Sequence, residues 1–193
     1  DIIICDDCST DKTVDVINNI INESSINKRI IKIFKNSKRL GMDLNFEKAI
    51  SLCNSDYIFL SDADDYWFKN KISYMYNKIH NTNNLIALNN CRFADENLIS
   101  YKTKKIEQIE KIFLSSENFI PGCCVVFKKT LKDLYLPLPS HNQSYDGWLN
   151  FVSSKVSNRL LTKKIFQLYR RHSSNNSLAI FNRVCLLYTS DAA

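Results

Sequence analysis

The sequence predicts an α/β fold with a mostly parallel sheet, because short apolar strands alternate with amphipathic helices along its 193 residues. Ile2–Cys5 is a continuous apolar run, which is typical of a strand covered on both faces. Lys69–His80 carries apolar side chains at i, i+3, i+4 and i+7, the spacing of a helix with one buried face. No internal repeat or low-complexity linker divides the chain, so one domain is the simplest organisation.

The other elements follow from the same two patterns. Ser9, Thr10 and Asp11 can cap the first helix, whose apolar stripe begins at Val14. Four more apolar runs predict strands, at Arg29–Phe34, Tyr57–Leu60, Leu85–Asn89 and Cys123–Phe127. Two more helices are expected, at Leu44–Cys53 and Gly147–Ser154.

Composition narrows the class of protein. The net charge of +6 is divided among several short basic clusters, which suits an anionic substrate or an acidic membrane face. A nucleic-acid binder would show one basic stripe with interleaved aromatic residues, so no nucleic-acid partner is expected. No apolar run approaches the ~20 residues of a membrane span. Seven irregularly spaced cysteines indicate a reducing compartment, so we expect a cytoplasmic protein whose attachment to the inner membrane face, if any, is peripheral.

An acidic cluster is the most informative segment of the chain. Asp62, Asp64 and Asp65 directly follow the predicted strand Tyr57–Leu60, and carboxylates this close raise one another's pKa unless a positive charge lies beside them. A hard divalent cation such as Mg²⁺ or Mn²⁺ prefers such oxygen ligands. Asp6-Asp7 ends the first strand, and in a parallel sheet both acidic groups would lie at the same, ligand-binding edge. An acidic surface turn is the alternative interpretation.

Six segments occur in an order that resembles a known enzyme family. They are Ile3–Thr13 (IICDDCSTDKT), Asn36–Asn45 (NSKRLGMDLN), Asp56–Trp67 (DYIFLSDADDYW), Pro121–Cys123 (PGC), Ser144–Leu149 (SYDGWL) and Tyr169–Asn175 (YRRHSSN). Together they resemble the family 2 glycosyltransferases of the GT-A fold, in particular rhamnosyltransferase-like members that build bacterial cell-surface polysaccharides. Cys8 stands where the family usually has Gly. The resemblance implies a GT-A, Rossmann-like sheet flanked by helices, in a chain that lacks the family's first strand and helix.

The resemblance also implies donor-binding roles. Asp7 would accept a hydrogen bond from the nucleotide base, although capping of the following helix is an equal alternative. Arg39 would reach the base or the diphosphate. Asp62, Asp64 and Asp65 correspond to the family's D-x-D cluster. Asp62 and Asp64 would contact the donor, and Asp64 and Asp65 would hold Mg²⁺ or Mn²⁺, which neutralises a leaving nucleoside diphosphate.

Two further residues complete the predicted site. The resemblance makes Asp146 the candidate catalytic base, since an inverting transfer needs one carboxylate to take the proton of the attacking hydroxyl. Its alternative role is the N-cap of the helix that begins at Gly147. His172 would bind the metal or donate to a phosphate oxygen, and its alternative is a surface position on a basic loop.

The sequence therefore predicts an inverting, metal-dependent glycosyltransferase that moves a sugar from a nucleotide-diphosphate donor to a hydroxyl of a glycan or lipid-linked acceptor. Cell-surface polysaccharide synthesis, of O-antigen or capsule, is the expected pathway. A sugar nucleotidyltransferase and a catalytically inactive sugar-nucleotide-binding domain are the alternatives. The domain is expected to span residues 1–184, incomplete at both ends, because residues 185–193 resemble a translated sequencing adapter without function.

Overall fold

The computed structural model describes residues 1–23, 30–111, 121–139, 144–173 and 175. Within these ranges the chain forms two sheets and six helices, which confirms the predicted α/β class. The proposed tail at 185–193, and residue Arg29 at the start of the predicted second strand, lie outside the described residues.

The strands and helices alternate through most of the chain. The strands are β1 (Ile2–Asp6), β2 (Ile31–Lys35), β3 (Tyr57–Phe59), β4 (Tyr66–Trp67), β5 (Ile86–Ala94), β6 (Ser100–Lys104), β7 (Val125–Lys128) and β8 (Arg159–Arg170). The helices are α1 (Thr13–Glu23), α2 (Met42–Leu52), α3 (Lys71–Ile79), α4 (Lys105–Lys111), α5 (Lys129–Tyr135) and α6 (Tyr145–Val156). Each predicted element is present with ends shifted by a few residues. The elements without a sequence prediction are β4, β6, β8, α4 and α5.

Strand direction differs from the mostly parallel sheet that the sequence predicts. β1 and β2 form a parallel pair. The second sheet has the strand order β3-β7-β5-β8-β4, and β6 also pairs with β5. In this sheet β5 and β8 are parallel, and the other four pairs of strands are antiparallel. One reason is a tight connection after β5, where Asp95 Oδ1 accepts hydrogen bonds from the backbone N–H of Asn97 at 3.0 Å and of Ile99 at 2.8 Å. So short a turn can join only antiparallel neighbours.

The core occupies both faces of the second sheet. Ile86 and Leu88 of β5 pack into one cluster with α5 and α6, whereas Ala87 between them packs against Met75 of α3 on the opposite face. All of these residues are fully buried. Burial on both faces explains why this strand reads as a continuous apolar run.

The surface of α1 is more apolar than a solvent-facing helix requires. Val14 is buried, but Val16 and Ile20 are 51% and 58% exposed.

None of the helices in the described ranges combines the length and apolar character that a bilayer crossing needs.

Candidate active site

The acidic loop between β3 and β4 directs its three carboxylates into different surroundings. Asp62 Oδ1 accepts a hydrogen bond from the Tyr145 hydroxyl at 3.3 Å. Asp65 is directed toward β8, where Oδ2 accepts from Gln167 Nε2 at 2.8 Å and Oδ1 accepts from the backbone N–H of Arg170 at 3.2 Å. The loop is therefore held by both α6 and β8.

Burial makes this loop electrostatically unfavourable when its carboxylates are ionised. Burial, with repulsion from Asp64, raises the pKa of Asp62 to about 6. Burial also raises the pKa of Asp65 to about 7, with smaller contributions from Asp62 and Asp64. A cation bound among these groups would relieve the repulsion and restore the ionised forms.

Asp64 and His172 form an oxygen and nitrogen pair of the kind that binds a divalent ion. Asp64 Oδ2 lies 3.0 Å from His172 Nε2, and both side chains are about one-third exposed. Asn175 Nδ2 lies 2.9 Å from the same carboxylate oxygen and 3.1 Å from His172 Nε2. The Asp64 carboxylate is an oxygen ligand of the kind that Mg²⁺ and Mn²⁺ prefer, and the His172 imidazole is a nitrogen ligand that fits Mn²⁺ better than Mg²⁺. Asn175 was missed by the sequence analysis, although it ends the motif that contains His172.

A second group of possible ligand atoms lies deeper in the protein. One oxygen each of Asp62 and Asp65 and the Sγ atom of Cys123 lie within 4.8 Å of one another. Gln167 Nε2 donates to this sulfur at 3.1 Å as well as to Asp65. Burial raises the pKa of the Cys123 thiol well above its usual range, so the sulfur is held as a neutral thiol. The role of Asp65 as a metal ligand stays a prediction.

A buried lysine contacts the residues that surround the acidic loop. Lys71, at the start of α3, is 1% exposed. Its ammonium donates to the backbone oxygen of Cys123 at 2.6 Å and to Gln167 Oε1, and it lies 3.6 Å from the centre of the Trp67 ring. Burial lowers the pKa of Lys71. Sequence reasoning missed Lys71 and Gln167, because a lysine in a first helical turn and a glutamine in a polar strand carry no signal of burial.

Asp146 lies in the first turn of α6, next to the acidic loop. It directly follows Tyr145, whose hydroxyl donates to Asp62, and its charge contributes to the raised pKa of Asp62. The N-cap of α6 is Ser144, whose Oγ accepts from the backbone N–H of Gly147 at 3.2 Å. Asp146 Oδ1 also accepts from this N–H, at 2.8 Å. The alternative capping role of Asp146 therefore falls to Ser144.

Trp148, two residues further on, is partly buried. Its Nε1 donates to the backbone oxygen of Tyr135 at 2.9 Å, and its ring stacks on Phe151 with centroids 5.4 Å apart. These contacts give Trp148 a packing role.

Asp7 fastens the segment between β2 and α2 to the end of β1. Its Oδ1 accepts from the backbone N–H of Leu40 and from Asn36 Nδ2, both at 2.7 Å, and its Oδ2 accepts from the N–H of Gly41 at 2.8 Å. These hydrogen bonds, that of Leu40 foremost, lower the pKa of Asp7. Arg39 is exposed in the same segment and contributes to the lowering.

The start of α1 uses other acidic residues. The backbone N–H of Ser9 donates to Asp6 at 3.3 Å, and that of Thr13 donates to Asp11 Oδ1 at 2.9 Å. The capping role considered for Asp7 is therefore filled by its neighbours, and Asp7 at the carboxyl end of β1 instead holds the segment that contains Arg39.

Solved structures share this architecture and show which fold it is. S. aureus TarS 1–349, in complex with UDP-GlcNAc, matches with a TM-score of 0.68 and 16% identity, covering 90% of this chain and 50% of that one. The mannosyltransferase PcManGT from Pyrobaculum calidifontis, in complex with GDP-Man and Mn²⁺, matches with a TM-score of 0.69 and 12% identity, covering 90% and 48%. The fold is the GT-A fold of the glycosyltransferases.

The chain belongs to glycosyl transferase family 2, whose model matches residues 1–135. It is 29% identical to the dTDP-rhamnosyl transferase RfbG of Shigella flexneri, over 90% of this chain and 63% of the relative. It is 30% identical to the UDP-Glc:alpha-D-GlcNAc-diphosphoundecaprenol beta-1,3-glucosyltransferase WfaP of Escherichia coli, over 95% of this chain and 70% of the relative. The chain thus spans about two thirds of the length of these relatives.

Proposed function

We propose that the protein transfers a sugar, with inversion, from a nucleoside diphosphate donor to a hydroxyl of a glycan or lipid-linked acceptor. The observation that carries the proposal is that Asp146 directly follows Tyr145, whose hydroxyl donates to Asp62 of the acidic loop, in a chain of family 2. The names of the rhamnosyl and glucosyl transferases among its relatives support a nucleotide-sugar donor and a role in cell-surface polysaccharide synthesis.

Asp64 and His172 are the residues that would hold Mg²⁺ or Mn²⁺, because Asp64 Oδ2 and His172 Nε2 face each other at 3.0 Å. When bound there, the ion would neutralise negative charge on the departing nucleoside diphosphate. Asp62, which accepts a hydrogen bond from the Tyr145 hydroxyl, would contact the donor beside the ion. Both carboxylate oxygens of Asp65 accept hydrogen bonds from β8, so Asp65 would stabilise the loop.

Asp7 and Arg39 would form the nucleotide side of the site. Asp7 holds Leu40 and Gly41 against the end of β1, and this segment would line the pocket for the base. Arg39, exposed in the same segment, would contact the base or the diphosphate.

Asp146 would act as the general base. Its carboxylate would accept the hydroxyl proton while the acceptor oxygen bonds to the anomeric carbon and the bond to the diphosphate oxygen breaks. The reaction would take place in the cytoplasm, with the protein soluble or peripherally bound to the inner membrane face.

Substituting Asp146→Asn tests the proposal and separates it from a binding domain. The amide cannot accept the proton, so we expect kcat for sugar transfer to fall about 100-fold or more while nucleotide binding stays within twofold. Transfer would be measured with a panel of sugar nucleotides and Mn²⁺, and binding by calorimetry. Asp133→Asn, at an exposed position on α5, is the matched control. Full activity of the Asp146 variant would remove it from the base role, and release of diphosphate from a nucleoside triphosphate would indicate a nucleotidyltransferase instead.

A further inference from the structure

A lysine that the proposed mechanism does not use contacts the network around Asp7. Lys48 lies in α2, and its side chain is partly buried. Its ammonium donates to Asn36 Oδ1 at 2.6 Å, and Asn36 Nδ2 donates in turn to Asp7 Oδ1 at 2.7 Å. A single amide side chain therefore joins a positive charge on α2 to the carboxylate that follows β1.

Helical spacing brings Lys48 and Asn45 to the same side of α2, because residues three apart are neighbours on a helix surface. Asn45 Oδ1 accepts from Asn36 Nδ2 at 2.8 Å, and Asn45 Nδ2 donates to the backbone oxygen of Cys5 at 3.0 Å. These two side chains of α2 therefore contact both β1 and the residue that follows β2.

The contacts of Asn36 allow only one orientation of its amide. The nitrogen has two N–H groups, which meet two acceptors, the carboxylate of Asp7 and the amide oxygen of Asn45. The oxygen meets the ammonium of Lys48, which is a donor without an acceptor. If the amide were turned over, its oxygen would face two acceptors and its nitrogen would face an ammonium. Lys48 therefore helps to fix the N–H group that reaches Asp7.

The orientation of the Asp7 carboxylate determines the shape of the proposed nucleotide side. Oδ1 accepts from Asn36 and from the backbone N–H of Leu40, and Oδ2 accepts from the N–H of Gly41. In the part of the chain that the structure describes, Oδ2 thus has one donor fewer than Oδ1. Because each carboxylate oxygen has two lone pairs, Oδ2 can accept one more N–H, such as that of a base.

We propose that Lys48 is a positioning residue for the nucleotide part of the donor. It acts through Asn36, whose amide holds the Asp7 carboxylate in the orientation that accepts from the base. This inference rests on the proposed function, and it adds a residue outside the six segments that carry the family resemblance. In Lys48→Met, the oxygen of Asn36 loses its charged donor, so the amide no longer has a fixed orientation toward Asp7.

Calorimetry on the whole chain with UDP, dTDP and GDP, each in the presence of Mn²⁺, tests this role. We expect Lys48→Met to weaken binding of the nucleotides that the wild type binds by about tenfold, since residues of one hydrogen-bond network are coupled. Lys48→Arg keeps a charged donor and should stay within about threefold. Lys129→Met, at an exposed position on α5, is the matched control. Binding of Mn²⁺ alone should stay within about twofold in Lys48→Met, because Asp64 and His172 follow strands of the second sheet.

A double-mutant cycle separates this role from a purely structural one. We expect Asp7→Ala to weaken nucleotide binding about tenfold or more, and Lys48→Met added to it should weaken binding less than about twofold further, because the lysine acts through that carboxylate.

Three results would overturn the inference. The first is the same loss from Lys48→Met with and without the Asp7 carboxylate. The second is equal nucleotide binding by the wild type and Lys48→Met, with circular dichroism confirming that the variant is folded. The third is a parallel loss of Mn²⁺ binding, which would indicate general damage to the fold. Absence of binding of every nucleotide and sugar nucleotide to the wild type would reject the proposed function, and this inference with it.

Discussion

Tyr145 connects the proposed base to the acidic loop through a single side chain. Its hydroxyl donates to Asp62, and its ring lies flat on Phe46 of α2 with centroids 3.9 Å apart. Its backbone N–H donates to Asp43 Oδ1 at 2.8 Å. Because Asp146 follows directly in the chain, every contact that fixes Tyr145 also fixes the start of α6 and the position of the base.

Gly122 makes the space that this tyrosine occupies. A Cβ atom at Gly122 would lie 2.5 Å from the Tyr145 hydroxyl oxygen, so Gly122→Ala must displace the ring. We expect the free energy of unfolding to fall by about 1–3 kcal/mol, the usual cost of overpacking a core, as measured by urea denaturation. Gly147→Ala is the comparison, because its Cβ would lie 2.8 Å from the Ser144 hydroxyl, which can rotate away at the smaller cost of a helix cap. Equal stability of the two variants would contradict this role of Gly122.

At the scale of elements, β8 and α3 together hold the acidic loop. β8 supplies Gln167 and the backbone N–H of Arg170 to Asp65, and the chain then continues to His172, which faces Asp64. Lys71 of α3 donates to Gln167 from the other side. One strand thus joins a buried lysine, a supporting carboxylate and the proposed metal pair.

Removing the charge of Lys71 should destabilise this arrangement. Lys71→Met keeps the length of the side chain but leaves the Cys123 backbone oxygen and Gln167 Oε1 without their donor. We expect a loss of about 2–4 kcal/mol in the free energy of unfolding, since buried acceptors without partners are costly. Urea denaturation measures it, and Lys69→Met, at an exposed position nearby, is the control. A stability unchanged from wild type would show that the buried ammonium is dispensable.

At the scale of the whole molecule, distant parts of the chain converge on one site. The loop after β3 supplies Asp64, the segment after β8 supplies His172, and α6 supplies Asp146. A ligand that contacts several of these groups in the folded state alone must stabilise the entire domain.

Mn²⁺ should therefore raise the melting temperature of the protein. At a concentration about 100-fold above its Kd, the ion adds about 2.7 kcal/mol to the free energy of unfolding, and EDTA should reverse the effect. In thermal denaturation we expect Asp64→Asn to abolish most of this stabilisation and Asp133→Asn to retain it. If Asp65→Asn lost the stabilisation while Asp64→Asn kept it, the ion would lie in the deeper group with Cys123.

The local sequence determined the elements that are buried or amphipathic, and the motifs that lie at their ends. β1, β5 and α3 were predicted because apolar residues recur with the period of a strand or a helix. The acidic loop was found because carboxylates follow a predicted strand, and Asp146 was found because its segment resembles one of the family. The sequence therefore determined the α/β class, the family and the candidate residues.

Only the tertiary structure decided which contacts each of those residues makes. Asp64 and Asp65 are adjacent in the chain, yet one faces His172 and the other is directed to Gln167, because β8 runs along one side of the loop. Lys71 and Lys105 look like surface lysines in the sequence, and only packing shows that they are buried or partly buried. Strand direction was decided in the same way, since β6 and β8 are held by pairing with β5 across the sheet. Contacts between residues far apart in the chain produce no periodic pattern in the sequence, so only the folded structure shows them.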